Sequence, residues 1–314
     1  MINRVLIRTR VLQVAYAHLH RGELRLATAE QDLLLSLHRT YDLYLFLLQL
    51  IPSLTEFHRE VLEVRKKKHL ATKAERSPNL RLVENRLAAK LASSEKLSSW
   101  YEGFNLRWEE DESLLRHLLR RIEGSEIYAR YLEAKESTFE LDRDFWVEIF
   151  HELFATDEEL AEMLEQNSIY WEDDLKCTEK AETEERPASE DEAVEQALAE
   201  ARQAGAYQSL RLENGPVEIV KDFVEKTLRK SDEENAFDQE IRPAFKDEDD
   251  ERFARMLFRQ TLLKYSEQMK LIEPVLSTEW SSERLADIDA LLLNLGLTEF
   301  LYFPMIPTQI TINE

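Results

Sequence analysis

The chain has 314 residues, with 63 acidic against 41 basic side chains, a formal charge of −22, six glycines and eight prolines. Such an acid surplus excludes indiscriminate binding to nucleic acid, which depends on neutralising many phosphates at once, so any RNA site has to be local. The one cysteine, Cys177, excludes an internal disulfide and a multi-cysteine zinc site and fits a reducing cytoplasm.

The length permits one large or two ordinary cores, and so few glycines and prolines leave few breaks between helices, which predicts an all-α protein. Residues 2–19 read as a first helix carrying Arg4, Arg8 and Arg10, then Gln13 and Tyr16, with no acid before Glu23. Arg8 and Arg10 interrupt any apolar core of a signal peptide. At 100° per residue Arg4 and Arg8 share one stripe and Arg10 points away from them. A guanidinium offers phosphate a planar fork of donors at every relevant pH, and Tyr16 offers an unpaired base a stacking surface worth about 1 to 3 kcal/mol. The competing use of the same arginines is an ordinary solvated or salt-bridged one.

Gly22 breaks the first helix, and Thr28 with Gln31 forms a capping-box pattern. Leucines and aromatics then run from Leu33 through Ile51, where Pro52 is expected to stop the second helix. The strongest apolar run, residues 43–51, is too short to span a bilayer and contains Gln49, so a soluble cytoplasmic protein without a membrane anchor is expected.

Residues 65–73 are the most basic stretch. Lys66, Lys67, Lys68 and Lys73 would extend an RNA path by phosphate contact, although a charge run of this kind is ordinarily a solvated helix end. Leu114, Leu115, Leu118 and Leu119, and then Val147, Ile149, Leu153 and Phe154, mark later helices with core faces. Residues 143–171 align without gaps on 252–280, pairing Val147 with Met256, Ile149 with Phe258, Leu153 with Leu262, Leu160 with Met269, Met163 with Ile272 and Trp171 with Trp280. That spacing suits two helices and a closing tryptophan in each copy of a repeat, and convergent amphipathic patterning would also give several of the matches. Residues 172–200 hold twelve acids against three bases and read as an acidic linker, with a capping box at residues 189–192. Gly215-Pro216 opens another helix, and five consecutive acids, residues 247–251, lack the spacing of a calcium loop and read as helix-start or surface charge.

Catalytic patterns are missing from the sequence. It has no glycine-rich phosphate loop, nucleophile elbow, His-Glu-x-x-His helix or close cysteine pair. His18 and His20 diverge on a helix, and His151 beside Glu152 reads as a satisfied, partly buried histidine. A non-enzymatic protein without cofactor or metal is expected.

The last thirty-five residues carry the most specific pattern. Ser281 and Ser282 suit a helix entry, and Leu285, Ile288, Leu292 and Leu295 share a face expected to be core. Phe303-Pro304 and Ile306-Pro307 force a corner, with Pro307 suited to the first turn of a new helix. Trp280, Arg284, the leucines of residues 291–295, Glu299, Pro307 and the closing Ile312-Asn313-Glu314 follow one another in the order of the bacterial transcription antitermination factor NusB family, which this segment resembles. Arg8, Gln13 and Tyr16 sit in register with the family's arginine-rich first helix, whereas Leu6 and Ile7 replace positions often basic there.

The resemblance implies a NusB-like helical bundle of two subdomains with a large helical insertion. N-terminal RNA-binding helices would occupy 1–52, the enlargement 53–246, and a C-terminal NusB-like subdomain 247–314. It also implies an RNA-binding transcription antitermination factor. Such a factor binds boxA-type RNA of ribosomal RNA transcripts together with the ribosomal protein NusE, and promotes read-through by RNA polymerase in the antitermination complex. Arg4, Arg8, Arg10, Gln13, Tyr16, Lys66, Lys67 and Lys68 would be its RNA contacts. The family's closing helix after Ile-Asn-Glu has no counterpart, so the face of residues 285–295 would be exposed or buried in a dimer. NusB-like domains also front RNA cytosine methyltransferases, but Cys177 alone cannot supply that chemistry. The alternative is a helical adaptor that binds protein and no RNA.

Overall fold

A computed structural model describes residues 1–20, 25–70, 72–171, 215–276 and 285–313. Gly22, the acidic segment 172–200, Cys177, Trp280, Ser281, Ser282, Arg284 and Glu314 lie outside the described residues. All regular structure among the described residues is helical, apart from one isolated parallel bridge between Ile2 and Phe245. No helix among them is long and apolar enough to cross a membrane. The chain divides into two compact units: residues 1–40, 169–216 and 244–314 form the first, and residues 41–168 and 217–243 the second.

Helix α1 is Arg4–His20 and α2 is Leu26–Lys66. The expected stop at Pro52 does not occur: the proline lies inside α2, which continues for fourteen more residues. An interior proline costs a helix about 3 kcal/mol. Leu43, Tyr44, Phe46, Leu47, Leu48, Leu50, Ile51 and Leu54 are buried around it. At about 1.5 to 3 kcal/mol for each fully buried apolar side chain, that packing outweighs the lost N–H. Thr28 and Gln31 accordingly lie within the helix and do not open it.

In the second unit the remainder of α2 is followed by α3 (Lys73–Arg76), α4 (Arg86–Ala92), α5 (Glu95–Gly103), α6 (Glu112–Glu123) and α7 (Glu126–Glu133). Next come α8 (Phe139–Ile149), which runs into a π turn over Phe150–Phe154, and α9 (Glu158–Asn167). Most of α10 (Pro216–Lys230) and all of α11 (Phe237–Glu240) complete the unit. Short polar caps set these starts: Asn85, Ser94, Asp111, Ser125, Thr138 and Asp157 each accept from a backbone N–H of the first turn. The leucines of α6 face inward as expected, together with Ile122. The core includes Trp108, stacked on Phe46 with ring centroids 4.0 Å apart and its Nε1–H donated to the Phe46 carbonyl at 2.9 Å.

The first unit packs α1 against α12 (Glu248–Leu263) and α14 (Asp287–Tyr302), with α13 (Tyr265–Ile272) and α15 (Thr308–Asn313) beside α14. The acids ahead of α12 are its start: Asp247 accepts from the N–H groups of Asp249 and Asp250, both at 3.1 Å, and four acids fill the first turn. Pro307 stands just ahead of α15, its carbonyl accepting from Ile310 N–H at 2.8 Å.

Helix α14 departs from the expected core face. Its buried residues are Ala290, Leu291, Asn294, Leu295, Thr298 and Glu299, while Leu292, Leu293, Phe300 and Leu301 are exposed. Polar side chains occupy the inner face because each has a partner there. Asn294 Nδ2 donates to the Tyr265 carbonyl at 3.2 Å, and Thr298 Oγ1 lies 2.8 Å from Gln268 Oε1 and 2.8 Å from the Asn294 carbonyl.

The gap-free repeat fails in its second helix. α9 buries Leu160 and Leu164, whereas α13 buries Gln268 and Ile272, one residue short of the positions the alignment pairs with them. A one-residue slip turns a helical face by about 100°.

Candidate nucleic-acid interface

Three of the candidate RNA contacts on α1 are buried. Arg8 sits 2.7 Å by Nε from Glu299 Oε2 and 2.7 Å by Nη2 from Glu299 Oε1, a two-pronged pair whose side chains are 8% and 1% exposed. Thr311 of α15 donates its hydroxyl to the same carboxylate at 2.6 Å. Burial pushes the Glu299 carboxyl up, but the hydrogen bonds from Arg8 and Thr311 and the charges of Arg8 and Arg4 overcome it, and the net shift is downward. Glu299 therefore joins the first helix to the last two through charge-assisted bonds.

Arg10 points to the other side of α1, as its position predicts. Its guanidinium donates to Thr40 Oγ1 at 3.1 and 3.2 Å, to Gln13 Oε1 at 2.9 Å and to the Tyr170 carbonyl. Gln13 is buried with it. The expectation that Arg8, Arg10 and Gln13 form an RNA surface is corrected for this conformation: all three side chains are buried, both guanidinium groups and Gln13 Oε1 are bonded inside the protein, and Gln13 Nε2 is buried with no hydrogen-bond partner among the described residues.

Arg4 differs. Its side chain is 46% exposed, with Nε 3.4 Å from Asp250 Oδ1 and the guanidinium 4.9 Å above the Phe253 ring. The Arg8 guanidinium lies over the same ring at 5.7 Å, so the two share a stripe, one at its surface and one beneath. Tyr16 is half-buried.

Lys66, Lys67 and Lys68 are exposed at the end of α2. Glu123 accepts from Arg65 at 2.8 and 3.2 Å, and Lys68 reaches Glu75 at 3.1 Å. Asn313 is exposed, its Oδ1 accepting from Gln309 Nε2 at 3.2 Å, and Pro307 is exposed. Among the motif residues, then, Glu299 has a structural role and Asn313 a helix-end hydrogen bond.

Sequence reasoning missed the partners. Glu299 lies 291 positions from Arg8, and no local signal joins them. Glu30, buried in α2, binds Arg255 at 2.8 Å and Arg259 at 2.6 Å, again across more than two hundred residues. Two histidines also find carboxylate partners in place. His18 is buried and bonded to Asp32 at 2.8 Å, and His151, expected to be partly buried, is exposed with Nδ1 3.0 Å from Glu225.

Residues 216–314 match the model of the NusB family. No curated protein and no solved structure matches the chain. The matched segment begins at α10 and takes in the Arg8 partner Glu299 and, with it, Thr311, while the helices ahead of it form an extension outside the match. The C-terminal region is thus similar to NusB proteins, and the regular structure of the described residues on either side of the start of the match is helical.

Proposed function

We propose that the chain is a non-catalytic RNA-binding antitermination factor. In this reading it engages boxA-type RNA of ribosomal RNA transcripts together with NusE and promotes read-through by RNA polymerase. The observation that carries it is the family match over residues 216–314, continuous from α10 to α15. The first helix supports it in a revised form: Arg4 and Tyr16 supply the accessible RNA contacts, while Arg8 and Arg10 hold the scaffold. Domain roles follow the sequence division, with RNA contact from residues 1–52 and partner contact from residues 247–314. A cytoplasmic location accords with these roles.

Fluorescence anisotropy with a labelled boxA RNA tests the reading. Tight binding is expected that strengthens when NusE is added and weakens with a scrambled RNA, and the double change Arg4→Ala, Tyr16→Ala is expected to reduce affinity about ten-fold or more, on the scale of one lost stacked base and one phosphate contact. Equal, weak binding to both RNAs with and without NusE would reject it.

A second reading, a protein-binding adaptor that takes no RNA, is favoured by one specific observation. Leu292, Leu293, Phe300 and Leu301 of α14, Ile312 of α15 and Met305 in the turn between them are exposed. No basic residue occurs from 285 to 313. Exposed apolar surface of this kind marks contact sites. In the anisotropy experiment this reading expects NusE binding with no RNA in the complex.

A further inference from the structure

Residues 65–76 place six cations, Arg65, Lys66, Lys67, Lys68, Lys73 and Arg76, against a single acid, Glu75, in a chain of charge −22. Among the described residues of this segment, 67–70 turn at the end of α2 and 73–76 form α3, the two sides of a corner. Arg65 anchors the α2 end to α6 by its two bonds to Glu123. Thr72 and Glu75 form a reciprocal capping box at α3, in which Glu75 accepts from Thr72 N–H at 2.8 Å. Glu75 also takes the Lys68 ammonium at 3.1 Å, tying the two halves together. The Thr72 N–H, the Lys68 ammonium and the Thr72 hydroxyl hold the Glu75 carboxyl down to about 2, so the lone acid stays charged and occupied by its own corner. Lys67, Lys73 and Arg76 are exposed and have no ion-pair partner among the described residues. Leu70 stands between them, 87% exposed.

We propose that this corner is a phosphate-contacting surface for an RNA backbone, with Lys67, Lys73 and Arg76 as the contacting groups. The proposal rests on the RNA reading above and adds a site in the helical extension, outside the family match. Two exposed ammonium groups and an exposed guanidinium suit sequence-independent contact, in which each charge displaces a condensed counterion. Confining the cations to one corner gives an acidic chain the local positive field that RNA contact demands.

The test compares the wild-type chain with Lys67→Glu, Lys73→Glu, Arg76→Glu. A control, Lys226→Glu, Arg229→Glu, Lys230→Glu on α10, carries the same change in net charge. Helicity is checked by circular dichroism, and affinity for a labelled single-stranded boxA RNA is measured from 50 to 200 mM salt. At about 0.7 in the logarithmic salt slope per single-strand phosphate contact, the corner variant is expected to lose about 2 from the slope and at least ten-fold in affinity, and the control much less. Equal losses in both variants, or an unchanged slope in the corner variant, would overturn the proposal. If the corner variant binds RNA normally while Arg4→Ala, Tyr16→Ala does not, this inference alone falls. If the wild type binds no RNA, the functional reading falls with it. Because Leu70 also suits a lipid surface, phosphatidylserine vesicles in phosphatidylcholine form a second arm. Loss of vesicle binding with RNA binding intact overturns the RNA assignment.

Discussion

Changing Glu299 to alanine is expected to destabilise the protein by about 3 to 5 kcal/mol, the cost of breaking a buried ion pair from one side. The change removes both bonds to the Arg8 guanidinium and the acceptor of the Thr311 hydroxyl, and so loosens the joint among α1, α14 and α15. A drop in the urea midpoint of this size would be read by circular dichroism. The double change Arg8→Met, Glu299→Leu is expected to recover most of the loss, because two apolar side chains leave no charge stranded. The same carboxylate sets an acid limb. Its pKa is lowered in the folded chain, so its contribution is fully present above the ordinary value of 4.5 and is lost as pH falls through the folded value. Glu30, lowered by Arg255 and Arg259 against its burial, and Asp157, lowered against burial by the Leu160 N–H, Arg121 and His117, add to the same limb. E299A is expected to lose less further stability on acidification than the wild type. A single-variant loss under 1 kcal/mol with an unchanged acid limb would contradict the assignment of Glu299 as a structural joint.

Trp108→Ala is the second large effect, about 3 to 5 kcal/mol. The indole is 1% exposed, stacks on Phe46 with an interplanar angle of 11°, and donates to a carbonyl of α2. Its removal leaves a cavity beside the middle of α2, with the buried rows on either side of Pro52 continuing past it. Trp108→Phe is expected to cost less, because it keeps an aromatic ring and loses only the N–H and part of the volume. Thermal unfolding of the two variants distinguishes them, and equal midpoints would show that the stack contributes nothing.

The all-helical class, the opening of α10 at Gly215-Pro216, the acidic start of α12 and the corner at Pro307 were legible because each depends on neighbours in sequence: a cap, a fixed φ, a helix dipole. The opposite orientations of Arg8 and Arg10 were legible for the same reason, since helical spacing fixes them. What the spacing could not give was whether each direction leads to solvent. That depended on Glu299, Thr40 and Tyr170, brought close only by the tertiary fold. Pro52 was misjudged because its local penalty is smaller than the apolar burial on both sides of it. The inner face of α14 was misjudged because Asn294, Thr298 and Glu299 find partners on α1, α13 and α15, and so outcompete Leu292 and Leu293 for the interior. The α3 corner was readable in part: Thr72 and Glu75 are a capping-box pair in sequence, and recognising them would have extended the basic run to Arg76.

Transcription read-through is the most direct test of the central claim. With purified RNA polymerase, NusE and a template that places a boxA element ahead of a terminator, adding this chain is expected to raise the fraction of read-through transcripts. The increase should require both NusE and the boxA element. A folded chain that leaves read-through at the level of polymerase alone, on the same template and with NusE present, would contradict it.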